Sequence, residues 1–248
     1  MKYNRAKEIM LQGRPALGAV SQLGGRLAAE TLALAGYDFI LLDDQHGDWE
    51  QASLMAAIRS IWMAGAVPMA RVCKNDFYAI GAMLDRGALG IVVPLVNSAE
   101  DARAAAHAMR FPPRGGRSCG PYGGWMYGSD YLDVANDEVF LAVQIESKEA
   151  VAHVDEIMAV EGVDACWIGP NDLGRSMGVD LSKPEDVQAY EAAMRRVLEA
   201  CQKAGKIPGI AYGPMPQLLQ QGYLFVTPGD DLGTLRHAAR QTLRALRP

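Results

Sequence analysis

The sequence predicts a single (β/α)8 barrel. Three observations predict it: short apolar runs alternate with helix-patterned stretches, the alternation counts to eight, and 248 residues suit one α/β barrel. Half of the residues are hydrophobic, enough to fill a large core. Composition does not shift along the chain and no linker interrupts it, so residues 1–248 read as one domain.

Taken in order, the strand candidates are residues 16–20, 38–43, 67–72, 90–95, 139–146, 165–169, 207–211 and 224–227. Each is short, rich in β-branched or aromatic side chains, and bounded by Gly, Pro or Asp. Residues 26–36, 50–65, 76–87, 98–110, 148–160 and 184–205 carry apolar side chains at helical spacing. Most of these stretches end at Gly, the usual residue past a helix C-terminus. Repeated β-then-α units call for a parallel sheet with right-handed crossovers. An open doubly wound sheet is the alternative, but no GxGxxG follows the first strand.

Residues 111–137 break the rhythm with Pro112-Pro113-Arg114-Gly115-Gly116-Arg117 and a Gly/Tyr/Trp-rich stretch through Tyr131. A connection of this length in a compact domain is expected to be functional. A surface excursion or a subunit contact is the other reading.

Net charge is −5, with both signs interspersed, so nothing points to nucleic acid or an anionic membrane as partner. Cys73, Cys119, Cys166 and Cys201 lie far apart with no CxxC spacing, which argues against a zinc ribbon or a disulfide framework. The start leads into an amphipathic stretch and not an apolar signal segment. No run of about 18 apolar residues exists, so no membrane span is expected. A cytoplasmic, reduced enzyme is the plain expectation.

In such a barrel the chemistry sits at the C-terminal ends of the strands. Glu146 ends an apolar strand and Asp172 follows the next one. Two carboxylates on one rim, with no evident cationic partner, suit a hard divalent cation that keeps open positions for substrate. Either alone could be a helix cap or first-turn acid. Arg71 ends an apolar strand and suits a carboxylate, phosphate or enolate oxygen; a buried ion pair is the alternative. His46 lies in the loop after the second strand, whereas His107, His153 and His237 fall in helical stretches. It is the candidate general base, with capping or packing as the plainer role. In the turn Gly169-Pro170-Asn171-Asp172, Pro170 has no N–H, so Asn171 and Asp172 would offer theirs to a substrate carboxylate. A Schiff-base lysine is the mechanistic rival, but Lys74 and Lys148 lie beyond strand ends and no lysine sits inside an apolar strand.

These residues, in this order, resemble the class II pyruvate aldolases of the HpcH/HpaI (citrate lyase β-like) family. The resemblance rests on Leu42-Asp43-Asp44-Gln45-His46-Gly47, Arg71 with Asn75-Asp76, Leu84-Asp85-Arg86-Gly87-Ala88 and Val93-Pro94-Leu95-Val96. It continues through Phe111-Pro112-Pro113-Arg114-Gly115-Gly116-Arg117, Val143-Gln144-Ile145-Glu146, and Ile168-Gly169-Pro170-Asn171-Asp172-Leu173. The resemblance implies that Glu146 and Asp172 ligate Mg2+, Mn2+ or Co2+, and that Arg71 stabilises an enolate oxygen. It implies that His46 acts as base with Asp85 raising its basicity. Gln144 and the N–H groups of Asn171 and Asp172 would hold pyruvate or its ligand shell. The implied reaction cleaves a 4-hydroxy-2-oxo acid to pyruvate and an aldehyde, in a hexamer or trimer.

Two features depart from the family's commoner pattern. Gln45 stands where Glu commonly precedes the histidine, which puts substrate preference in question. Asp85 ends a helix before the fourth strand, at the foot of its own barrel, so any contact with His46 would cross a subunit interface. A CoA-ester lyase of the same superfamily is the nearest rival reading, and a non-catalytic barrel the next. The aldehyde is expected to meet the loops after the first two strands and the aromatic segment 122–131, with Trp49, Trp125 and Tyr127 shaping the pocket or packing an interface.

Overall fold

A computed structural model describes residues 2–247. Eight parallel strands close into one barrel in sequence order. They are β1 (Ala16–Ser21), β2 (Phe39–Asp43), β3 (Val67–Arg71), β4 (Gly90–Val93), β5 (Phe140–Ile145), β6 (Ala165–Ile168), β7 (Gly209–Ala211) and β8 (Phe225–Asp230). Helices follow the strands and form the outer ring, so the expected (β/α)8 architecture holds. No helix among the described residues is long and apolar enough to cross a membrane.

The strands read as nearly unbroken apolar runs because both of their faces are buried. Along β2, Phe39 and Leu41 point into the barrel while Ile40 and Leu42 pack beneath the helices. Inside, Phe225 stacks on Phe39 at 4.8 Å and meets Phe140 edge-on at 5.1 Å. Gly18 makes room for this filling, since a Cβ there would lie 2.1 Å from the Phe39 ring. The same alternation decides where the polar strand ends point. Asp43 continues the inward row of Phe39 and Leu41, Arg71 that of Val67 and Met69, and Gln144 that of Phe140 and Ala142.

The other end of the barrel is plugged. The helix Arg5–Leu11 buries Ala6, Lys7 and Met10 across the strand starts. Asn4 Nδ2 donates to the carbonyls of Leu89 at 3.0 Å and Glu138 at 2.8 Å, and Lys7 Nζ donates to that of Val139 at 2.8 Å. These carbonyls precede β4 and β5 and mark the foot of the barrel.

The segment 111–137 also belongs to the foot, not to the mouth. It forms a turn, Gly124–Tyr127, and runs into the helix Tyr131–Glu138. Tyr127 is buried, stacks on Tyr131 at 5.6 Å, meets Trp62 edge-on at 4.8 Å, and donates its hydroxyl to the Gly87 carbonyl. Within this chain the expectation that Tyr127 and Trp125 shape an acceptor pocket therefore fails. The connection runs from a helix end back to the start of β5, which is the strand-start side. Trp125 is exposed there. Trp49 alone stays near the working end, where its indole N–H donates to the Ser21 carbonyl at 2.8 Å.

Candidate active site

At the C-terminal rim, parallel register sets Asp43 of β2 directly beside Arg71 of β3. The guanidinium forks onto the carboxylate through Nε at 2.8 Å and Nη2 at 2.6 Å. Asp43 is fully buried and also accepts from Gln22 Nε2 at 3.0 Å and from the backbone N–H groups of Gln45 and His46. Burial alone would raise the Asp43 pKa, but hydrogen bonds and charge from Arg71 overcome it and hold the carboxyl below its ordinary 3.8. Arg71 thus belongs to an ion pair and also faces the mouth, with Nη1 uncommitted to Asp43. The guanidinium lies 5.5 Å from the Trp167 ring, which supports it from below. Asp43 was the residue that the sequence left unassigned; the opposite charges ending consecutive strands were the signal.

Two strands further round the barrel, Glu146 follows β5 and is almost fully buried. Its Oε1 accepts the Leu95 N–H at 2.8 Å and its Oε2 accepts Gln144 Nε2 at 2.5 Å. Leu95 reaches it through a left-handed turn, φ 54°, a strained state for leucine. Burial pushes the Glu146 carboxyl up from its ordinary 4.5, and the neighbouring Asp172 charge adds to this despite the Leu95 N–H and the Arg71 charge. Asp172 sits in the first turn of the helix Pro170–Met177, which starts straight after β6. The N–H groups of Asn171 and Asp172 lie in that turn, where helix geometry offers no carbonyl partner. Gly169 keeps the cleft open, because a Cβ there would lie 2.8 Å from Gln144 Nε2 and 3.2 Å from Glu146 Oε2.

Arg71, Gln144, Trp167, Asn171, Asp172 and Tyr212 line one cleft of about 50 Å3. A larger groove of about 700 Å3 runs between the helices Pro184–Lys203 and Met215–Gln220 and touches the cleft at Pro170, Asn171 and Tyr212. It lies on the barrel's flank and lacks the carboxylate pair. His46 is exposed at the rim, in the loop whose N–H groups cap Asp43, and its imidazole bonds to no described residue. Asp85 is elsewhere: it ends the helix Phe77–Asp85 at the foot and accepts from Arg117 Nη2 at 2.9 Å. The structure thus brings Arg71, Gln144, Glu146, Asn171 and Asp172 together, with His46 on the same rim and Asp85 apart.

Residues 23–238 match the HpcH/HpaI aldolase/citrate lyase family. The chain belongs to that family. It is 38% identical over 248 residues to a hydroxypyruvate/pyruvate aldolase of Rhizorhabdus wittichii, covering 97% of each chain. It is 35% identical to a 4-hydroxy-2-oxo-heptane-1,7-dioate aldolase of Escherichia coli, over 95% of this chain and 92% of the other. The crystal structure of an HpcH/HpaI family protein from Burkholderia cenocepacia superposes with a TM-score of 0.89 at 33% identity, over 99% of this chain and 100% of that one. As a member of the HpcH/HpaI family the protein is a carbon–carbon lyase.

The donor set of this lyase fits a divalent ion. Glu146 and Asp172 are adjacent carboxylates, and the cation nearest them, Arg71, is committed to Asp43. Gln144 Oε1 is buried with no partner among the described residues. No cluster of three or more His, Cys, Asp or Glu ligands occurs among the described residues. Two carboxylates completed by substrate and water are a usual arrangement for Mg2+.

The Asp43–Arg71 pair predicts a pH signature. A depressed carboxyl pKa contributes stability above the unfolded value and loses it as pH falls through the folded value. Asp43→Asn should therefore destabilise the lyase by roughly 3 kcal/mol at neutral pH. The gap to wild type should hold down to about pH 4 and shrink only below it. Urea titrations of both proteins from pH 7 to pH 3 check this; a gap that closes well above pH 4 would contradict the pairing.

Proposed function

We propose that this lyase is a divalent-metal-dependent class II aldolase that reversibly cleaves a 4-hydroxy-2-oxo acid to pyruvate and an aldehyde. The observation that carries the reading is the buried Glu146 beside Asp172, with Asp172 and Arg71 lining one narrow cleft. The names borne by the Rhizorhabdus and Escherichia relatives support the same chemistry.

A divalent ion at Glu146 and Asp172, whether Mg2+, Mn2+ or Co2+, would supply the Lewis acidity that polarises the 2-oxo group. Around it the chain's own groups act. The N–H groups of Asn171 and Asp172 bind the substrate carboxylate, and Gln144 orients Glu146. Arg71 presents Nη1 to the oxygen on which negative charge develops as the C3–C4 bond breaks. His46 takes the proton from the 4-hydroxyl, and the aldehyde leaves. Protonation at C3 then gives pyruvate, and the reverse sequence is aldol addition. An Asp85 contribution to His46 requires a second copy of the chain, which fits a homo-oligomer, trimer or hexamer. The reading places the protein in the cytoplasm.

Enolate formation can be tested without knowing the aldehyde. Pyruvate incubated in D2O with the enzyme and Mg2+ should gain deuterium in its methyl group, as read by mass spectrometry. The uptake should vanish with chelator. Uptake no faster than in buffer with Mg2+ alone would sink the aldolase reading.

A further inference from the structure

We propose that Asp231, the first residue of the last helix, is a positioning residue of this site, acting on both Arg71 and His46 through the loop after β1. The proposal rests on the aldolase reading for its kinetic readout. Asp231 is 6% exposed, and its side chain forms an ion pair with no described residue. Four donors converge on its carboxylate instead. Ser21 Oγ donates at 2.8 Å, the Gln22 N–H at 2.9 Å, the Leu23 N–H at 3.2 Å and the Leu232 N–H at 2.8 Å. Three of these come from the last residue of β1 and the loop after it, some 210 residues away in sequence, brought alongside because β8 pairs with β1 to close the barrel. The rest of the helix Asp231–Leu246 buries no residue, so this carboxylate is not needed to complete a packed helix face.

The clamped loop then makes three further hydrogen bonds. Gln22 Nε2 reaches Asp43 Oδ2 at 3.0 Å, on the oxygen that also receives Arg71 Nη2. The carbonyls of Gln22 and Ser21 accept the Asp48 N–H and the Trp49 indole N–H, each at 2.8 Å. Those two donors end the loop that carries His46. Two glycines let the loops touch: a Cβ on Gly24 would lie 1.9 Å from the Asp48 carbonyl oxygen, and one on Gly47 3.2 Å from the Gln22 Cα. Displacement of the β1 loop therefore cannot be absorbed between them. It shifts Gln22 away from Asp43 and the His46 loop away from the rim together. A buried, fully bonded carboxylate at the entry of an exposed helix thus sets the geometry of two reacting groups that it does not touch.

The test compares Asp231→Asn, Gln22→Met and the double variant, each loaded with saturating Mg2+, with wild type. Gln22→Met cuts the link to Asp43 and leaves the buried carboxylate alone, so it reports even where Asp231→Asn folds poorly. Each single variant should lose kcat on the order of 10-fold or more, because misplacement of about 1 Å is worth up to 100-fold. KM should move little. The double variant should fall no further than the worse single one, since both cut the same path. Hydrogen exchange in segment 44–49 should quicken in Asp231→Asn while the barrel strands stay protected. Losses that multiply, or single variants with kcat within about twofold of wild type, would overturn the proposal. A wild type that releases no pyruvate overturns the aldolase reading instead. The exchange of segment 44–49 then decides on Asp231 by itself, and unchanged exchange there rejects the clamp.

Discussion

Arg71→Ala is expected to lower turnover by about 100-fold or more and to destabilise the barrel as well. The two losses have separate causes. The rate falls because a fixed cation aimed at a developing oxyanion is lost, and one such donor is typically worth about 100- to 1000-fold. Stability falls because Asp43, fully buried, is left without the guanidinium that forks onto it. Breaking a buried pair from one side costs about 3–5 kcal/mol. Arg71→Lys separates the two effects. A lysine restores a positive charge near Asp43 but cannot span both of its oxygens while still facing the cleft. The lysine variant should therefore recover much of the stability and little of the rate. Steady-state kinetics beside urea unfolding of both variants gives the comparison. An alanine variant with near-wild-type turnover would remove Arg71 from the chemistry and leave it a structural ion pair.

Glu146→Gln is expected to separate stability from function in the opposite direction. Burial and the Asp172 charge push the Glu146 carboxyl upward, so at neutral pH its ionised form is held against its surroundings. The neutral amide removes that strain, and the variant should unfold at an equal or higher urea concentration than the metal-free wild type. Affinity for Mn2+ should nonetheless drop by about 100-fold or more, beyond the 10- to 100-fold losses that outer partners of a metal site produce. Calorimetric titration with Mn2+ measures this directly. A variant that binds Mn2+ within a few-fold of wild type would move the metal away from Glu146.

The barrel was legible in the sequence because its strands, buried on both faces, stand out as short apolar runs, and all eight expected runs overlap a strand of the structure. The boundaries shifted where proline intervenes. The strand expected from residue 207 is continuous only from Gly209, with Ile207 making an isolated bridge to Ala165 before Pro208, and the one expected to end at Thr227 runs on through Pro228 to Asp230. Arg71 and Glu146 were legible because a polar residue ending an apolar strand must face the mouth, and Asp172 because it stands in the turn that follows β6; Gln144 came only from the family resemblance. Asp43 was overlooked because its importance lies in its lateral neighbour, and lateral register is not written in one strand. The Asp231 clamp was beyond reach, since it depends on the closure of β8 against β1. The aromatic segment was expected either to meet the substrate or to pack an interface; its place between a helix and the next strand sends it to the foot of its own barrel, which removes it from this chain's mouth and leaves the interface role.

The central claim, metal-assisted cleavage in the cleft lined by Arg71 and Asp172, is tested most directly by one assay. Chelator-stripped protein is mixed with a racemic 4-hydroxy-2-oxo acid, with and without Mg2+ or Mn2+, and pyruvate is followed through lactate dehydrogenase. The account predicts release only with the metal ion, abolished in Glu146→Gln and nearly so in Arg71→Ala. Metal-independent release, with the protein trapped covalently by borohydride, would instead establish a lysine imine and contradict the account.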